Sequence, residues 1–120
     1  MKITQLIFLL CFIFSISSCV EAERKKITKS TGQLVFEKYN CKSCHTIGRG
    51  KLIGPDLKGV TNKREKVWLE KWIRNPQELI ESGDTIAINI YNEYDQSPML
   101  PNDVSEIEME ELILYLSEKK

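Results

Sequence analysis

The chemistry in this 120-residue chain concentrates in five residues, Cys41-Lys42-Ser43-Cys44-His45. Two thiols three residues apart can both add to the vinyl groups of one haem. The histidine beside the second thiol then reaches the iron from one face, so Cys-x-x-Cys-His reads as covalent haem attachment. A thioredoxin-type redox pair would start a helix after a buried strand in an alternating βαβ chain, and no such strand precedes Cys41. Structural zinc takes four ligands, whereas Cys41, Cys44 and His45, the sole histidine, supply three. The expected cofactor is therefore one haem c, held covalently by Cys41 and Cys44.

With His45 on one axial position and no second histidine in the chain, the sulfur candidates for the other position are Met99 and Met109. Met109 falls on a helical period with Leu112, Ile113 and Leu116 and reads as ordinary core. Met99 stands between Pro98 and Pro101, in a segment that can be neither helix nor central strand. Such a rigid loop can hold one thioether at a fixed point; the plain alternative is a loop residue capping the core. With both axial positions filled, no site remains for a substrate to bind iron. The sequence also offers no Ser/His/Asp set, no Gly-rich phosphate loop and no second histidine for acid–base work, so no enzyme is expected.

The elements that must position these residues are helical. Ser30-Thr31-Gly32-Gln33 fits a capping box and starts a helix through Tyr39. Asn62 to Glu65 starts another, carrying Val67, Trp68, Leu69, Trp72 and Ile73 before Asn75-Pro76 ends it. A helical turn over Pro76 to Glu81 has its proline at the first position. Thr85 to Tyr94 follows Gly83-Asp84 and fits either a strand or a helix by period. Ser105-x-x-Glu108 caps a last helix through Ser117.

From Gly32 onward the chain resembles a class I (mitochondrial-type) cytochrome c. The resemblance rests on marks in the family's order: Gly32 and Phe36 before the haem motif, Gly54-Pro55-Asp56-Leu57 after it, and Ser97-Pro98-Met99-Leu100-Pro101 before a final amphipathic helix. It implies an all-α fold, about four to five helices packed around one covalently attached haem, with Thr85 to Tyr94 a helix. It implies His45 and Met99 as axial ligands, the Pro55 carbonyl as acceptor for the other ring N–H of His45, and Trp68 or Trp72 near a haem propionate. It also sets Gly32 and Phe36 against Leu112, Tyr115 and Leu116 where the first and last helices cross. The function it implies is one-electron transfer between redox protein partners, a membrane-bound donor and a terminal oxidase or periplasmic reductase. The alternatives are a haem module of a larger respiratory complex and, less favoured, an open-site haem enzyme or gas sensor.

Ahead of this domain stand Met1-Lys2, an apolar run from Leu6 to Ile16 and a serine-rich stretch to Cys19, the layout of an export signal. Ile16-Ser17-Ser18-Cys19 resembles the bacterial lipobox, at which the peptide is cut and Cys19 lipidated. The run is too short for a spanning helix, which wants about 20 apolar residues. The expected organisation is a signal peptide over 1–18, a lipidated N-terminus and tether over 19–29, and the haem domain over 30–120. A membrane-anchored monomer on the periplasmic or cell-surface side is expected. Cys11 lies in the signal, so no pair is left for a disulfide.

The signal holds twelve apolar residues, including three of the four phenylalanines, which leaves the rest of a 42% apolar chain lean. A small domain so supplied needs something else in its core, and a haem would serve. The 17 basic and 17 acidic side chains exclude a strongly basic nucleic-acid binder. Their order matters more: residues 24–74 carry 14 basic and 4 acidic groups, residues 75–120 carry 2 and 11. Lys42, Arg49, Lys51 and Lys58 near the haem segments are expected to orient the molecule toward an acidic partner.

Overall fold

Ser30 turns the chain into its first helix by accepting the Gln33 N–H with its hydroxyl, at 3.2 Å. The computed structural model describes residues 29–120. The signal, Cys19 and the tether up to residue 28 lie outside the described residues. The helices are α1 (Thr31–Lys38), α2 (Val60–Lys63), α3 (Lys66–Arg74), α4 (Pro76–Glu81), α5 (Thr85–Glu93) and α6 (Glu106–Ser117), with a 3-10 turn at Cys41–Ser43. The expected all-α architecture is present, and no strand occurs among the described residues.

Among the described residues six helices stand in place of the expected four to five, because the one expected to start at Asn62–Glu65 is two. Arg64 and Glu65 are extended, with ψ of 139° and 147°, which ends α2 and lets α3 begin at Lys66. No glycine or proline marks this break in the sequence. Only half of the capping box expected at Ser30 forms, because Gln33 turns its amide to Glu37 (3.3 Å) instead of back to the Ser30 backbone. The box at Ser105 and Glu108 is complete. Asn75 and Asp84 cap α4 and α5, and Pro76 occupies the first turn of α4.

The core forms where α1 crosses α6. A Cβ built on Gly32 would lie 2.1 Å from the Glu111 carbonyl oxygen and 2.5 Å from the Tyr115 Cβ, so the helix backbones touch there. Around this contact Val35 and Phe36 pack with Met109, Leu112, Ile113 and Leu116, and α3 adds Leu69 and Ile73. The Phe36 and Tyr115 ring centroids are 5.8 Å apart. Met109 has no exposed surface, and burial of such a side chain is worth about 1.5–3 kcal/mol.

Packing also brings the two oppositely charged stretches together. Lys38 pairs with Glu108, Lys66 with Glu110 (3.2 Å) and Arg74 with Glu106 (2.9 Å), each uniting a base of the first stretch with a carboxylate of α6. Lys42, Arg49, Lys51 and Lys58 are exposed, and none of them forms an ion pair among the described residues.

Candidate haem-binding site

Asn40 takes a left-handed conformation (φ 54°) that turns the chain out of α1. The Cys44 and His45 N–H groups both donate to the Cys41 carbonyl, at 3.3 and 3.0 Å. Residues i and i+3 of a 3-10 turn eclipse, so this turn carries the two thiols on one side. Both cysteines are free and half-buried, and burial pushes the Cys41 thiol pKa up.

His45 Nδ1 lies 2.9 Å from the Pro55 carbonyl oxygen. A carbonyl can only accept, so Nδ1 carries the proton and Nε2 keeps its lone pair. Burial lowers the His45 pKa against the opposing pull of that carbonyl, which favours the neutral ring a metal needs. Gly54 sits against the ring: a Cβ there would be 2.6 Å from Cε1 and 2.9 Å from Nδ1. The Gly54 N–H also donates to the Cys44 carbonyl at 2.8 Å, tying the acceptor loop to the haem motif.

Asp56 holds that loop in shape. Its carboxylate accepts the backbone N–H groups of Gly48 (2.7 Å), Gly50 (2.6 Å) and Lys58 (2.9 Å). These bonds, Lys58 foremost, lower its pKa from 3.8 to about 2. Glu108 is lowered from 4.5 to about 2, first by Lys38 and then by Ser105. The folded chain therefore binds fewer protons than the unfolded one between about pH 2 and 5. The stability these carboxylates contribute is complete above that window and is lost as pH falls through it. Urea midpoints should drop from about pH 5 to 2, less steeply in Asp56→Asn. A parent midpoint unchanged at pH 3 would contradict this.

A cavity of about 450 Å³ opens beside the 3-10 turn, lined by Cys41, Cys44, His45, Pro55, Tyr91 and Met99 among others. A second, of about 360 Å³, shares Cys41, His45, Pro55, Trp72, Tyr94 and Met99 with it, so the two adjoin as one cleft. No charged side chain lines the first, whereas Lys51, Lys63 and Arg64 line the second together with Asp56 and Glu93. Two thiols, an imidazole with a free Nε2, a thioether and largely apolar walls suit an apolar macrocycle with two vinyl groups and a metal. The residues present thus fit haem c. Met109 lines neither cavity. The Trp68 indole N–H donates to Asp84 (3.2 Å), and the Trp68 and Trp72 rings stack with centroids 5.3 Å apart.

Residues 30–120 match the cytochrome c family, and the chain belongs to it. The cytochrome c domain of the pp3183 protein from Pseudomonas putida is similar at 32% identity, with 72% of this chain and 85% of that one covered and a TM-score of 0.63. A cytochrome c from Rhodothermus marinus is similar at 26% identity, over 75% of this chain and 77% of that one, with a TM-score of 0.64. An engineered form of the Rhodothermus marinus protein, bound to a carbene intermediate, is similar at 27% identity, over 73% and 72% of the two chains, with a TM-score of 0.62. No curated protein matches the chain significantly. Family membership carries one covalent haem c, whose attachment motif Cys41 and Cys44 fit, and haem-based electron transfer with redox partners. The family consists mainly of electron carriers, and its domains are typically exported to the periplasm. Among the described residues no helix is long and apolar enough to cross a membrane.

The structure brings Cys41, Cys44, His45, Pro55 and Met99 to one cleft. Sequence reasoning missed the role of Asp56 as the clasp of the loop and the contact of Gly54 with the imidazole. For the first, the signal was Gly48 and Gly50 flanking a turn with a carboxylate close by, both glycines at positive φ (78° and 85°).

Proposed function

We propose that the chain is a monohaem class I cytochrome c, a one-electron carrier in a bacterial respiratory chain that passes electrons between membrane-bound donors and a terminal oxidase or periplasmic reductase. His45 and Met99 are its axial ligands, and the Pro55 carbonyl orients His45. The observation that carries this reading is that His45 and Met99 line the same two adjoining cavities, while the His45 Nδ1–H is engaged by Pro55 and Nε2 is left for a metal. Bound haem supplies an iron that gains and loses one electron. The protein's part is to hold the ring still. Cys41 and Cys44 fix the macrocycle, the Pro55 carbonyl sets the histidine's orientation and basicity, and a neutral thioether from Met99 raises the reduction potential. Lipidation at Cys19 tethers the monomer at the membrane, and the tether Val20 to Lys29 spans at most about 35 Å.

The ferrous holoprotein should bind carbon monoxide barely, and Met99→Ala should bind it readily and lose the sulfur–iron charge-transfer band. Ready binding by the parent, or an unchanged band in Met99→Ala, would sink the ligand assignment.

A second reading is favoured by one observation: the Pseudomonas putida neighbour is described as a cytochrome c domain of a protein. On it, this chain is the haem module of a larger respiratory enzyme. Co-purification with one partner enzyme, and no turnover of that enzyme when the detached domain is supplied, would select it.

A further inference from the structure

Met99 lies between α5 and α6 in a segment with no helix or strand of its own, yet ligation asks it to keep one sulfur at a fixed point. Backbone hydrogen bonds other than helical ones leave residues 98–101 untouched, and Leu100 is 73% exposed. The segment is secured at its two ends. At the first, Asp95 and Gln96 both take left-handed φ values (55° and 58°), closed by Gln96 N–H to the Tyr91 carbonyl (2.9 Å) and Ser97 N–H to the Tyr94 carbonyl (3.0 Å).

At the second end the ties come from side chains and from the last turn of α3. Arg74 donates through Nη1 to the Val104 carbonyl (2.5 Å) and through Nη2 to Glu106 (2.9 Å). Asn102 donates its backbone N–H to the Ile73 carbonyl (3.2 Å), an orphan acceptor of the helix end, and its side-chain amide to the carbonyls of Leu100 (2.9 Å) and Ile73 (3.5 Å). The Tyr39 hydroxyl, from the end of α1, lies within hydrogen-bond distance of two acceptors beyond the segment, the Asp103 carbonyl (2.8 Å) and the Glu108 carboxylate (3.0 Å). Tyr39 and Asn102 line the same cavity as Met99. Pro98 and Pro101 stiffen the stretch between the two ends, so a shift at residues 102–104 is carried to Met99.

We infer that Arg74 and Asn102, with Tyr39, are positioning residues for Met99: they clamp the far end of its segment to α3 and α1 and thereby set how firmly the thioether stays on the iron. The inference rests on the proposed ligation by Met99. Freeing one end of a short, stiff segment lowers the effective concentration of the sulfur at the metal by roughly three- to tenfold. The apparent affinity of an external ligand for that axial position rises by the same factor, because the site is open for a larger fraction of the time.

The test is imidazole titration of the ferric full-chain holoprotein, with the sulfur–iron charge-transfer band followed alongside. Arg74→Ala should bind imidazole roughly three- to tenfold tighter than the parent and show a weaker band, and Asn102→Ala, which loses the side-chain bonds but keeps the backbone one to Ile73, should shift the same way by less. Arg74→Lys, which keeps one donor and the charge, should fall between parent and Arg74→Ala. Tyr39→Phe, which removes only the hydroxyl, should shift the same way and serves if the alanine variants fold poorly. In a Met99→Ala background none of these substitutions should change imidazole affinity, because no sulfur is left to position. Unchanged affinity in all the single variants, or an equal shift with and without Met99, would overturn the clamp. If Met99→Ala alone leaves imidazole affinity and the band unchanged, the ligand assignment itself is what fails.

Discussion

Gly32→Ala should lower the melting temperature of the holoprotein by roughly 15 °C, corresponding to about 3 kcal/mol in a domain of this size. The new methyl group would stand 2.1 Å from the Glu111 carbonyl oxygen and 2.5 Å from the Tyr115 Cβ, and neither is the far end of a flexible side chain. Relief requires α1 and α6 to separate. Separation loosens Val35 and Phe36 from Leu112 and Leu116, in a core with few other large side chains. Alanine is the better helix former, so intrinsic propensity would favour the variant by up to about 1 kcal/mol; packing decides the sign. Thermal unfolding followed by circular dichroism checks this, and a melting temperature within a few degrees of the parent would show that the two helices can part without cost.

The second large effect is expected at Gly54. An alanine Cβ would meet the His45 ring at 2.6 Å from Cε1 and 2.9 Å from Nδ1, and the hydrogen bond from Gly54 to Cys44 keeps the backbone from swinging clear. The ring must turn, which breaks the alignment of Nδ1–H with the Pro55 carbonyl and moves Nε2. Haem should remain covalently attached through Cys41 and Cys44, detectable by mass spectrometry. The affinity of the ferrous form for carbon monoxide should rise roughly 10- to 100-fold, the usual scale when the support of a metal ligand is lost. Unchanged carbon monoxide affinity with intact attachment would mean that Gly54 does not hold the imidazole. Fold loss is a separate outcome, and the melting curve distinguishes it.

Much of this was legible because it is local. A Cys-x-x-Cys-His run states its own chemistry, Ser105 and Asp84 announce the helix starts they cap, and Pro76 marks the first turn of α4. Met109 showed its core role by period alone, and it is fully buried. What stayed hidden is what distance in sequence hides. The extended pair Arg64–Glu65 carries no breaker residue, and nothing nearby in sequence explains it. Trp68 donates its indole N–H to Asp84, sixteen residues on, whose carboxylate also accepts the Ala87 N–H, a pairing that sequence distance concealed. Splitting the charge by sequence halves overstated the dipole, because three of the acidic side chains of α6 come to rest on Lys38, Lys66 and Arg74. The ties from Tyr39 and Arg74 to the Met99 segment are likewise contacts between helices far apart in the chain.

The crossing of α1 and α6 also sets an order of events in time. The close approach at Gly32 has no partner until the last helix is in place, and joining the two ends of so long a loop is entropically opposed. Cys41 and Cys44 follow α1 directly, so during synthesis they emerge well before the helix that closes the core around them. Until α6 docks, the thiols are held only by a short turn and stand open to whatever machinery delivers the macrocycle. Closure of the helix pair then acts as a late latch, converting an accessible attachment site into a half-buried one.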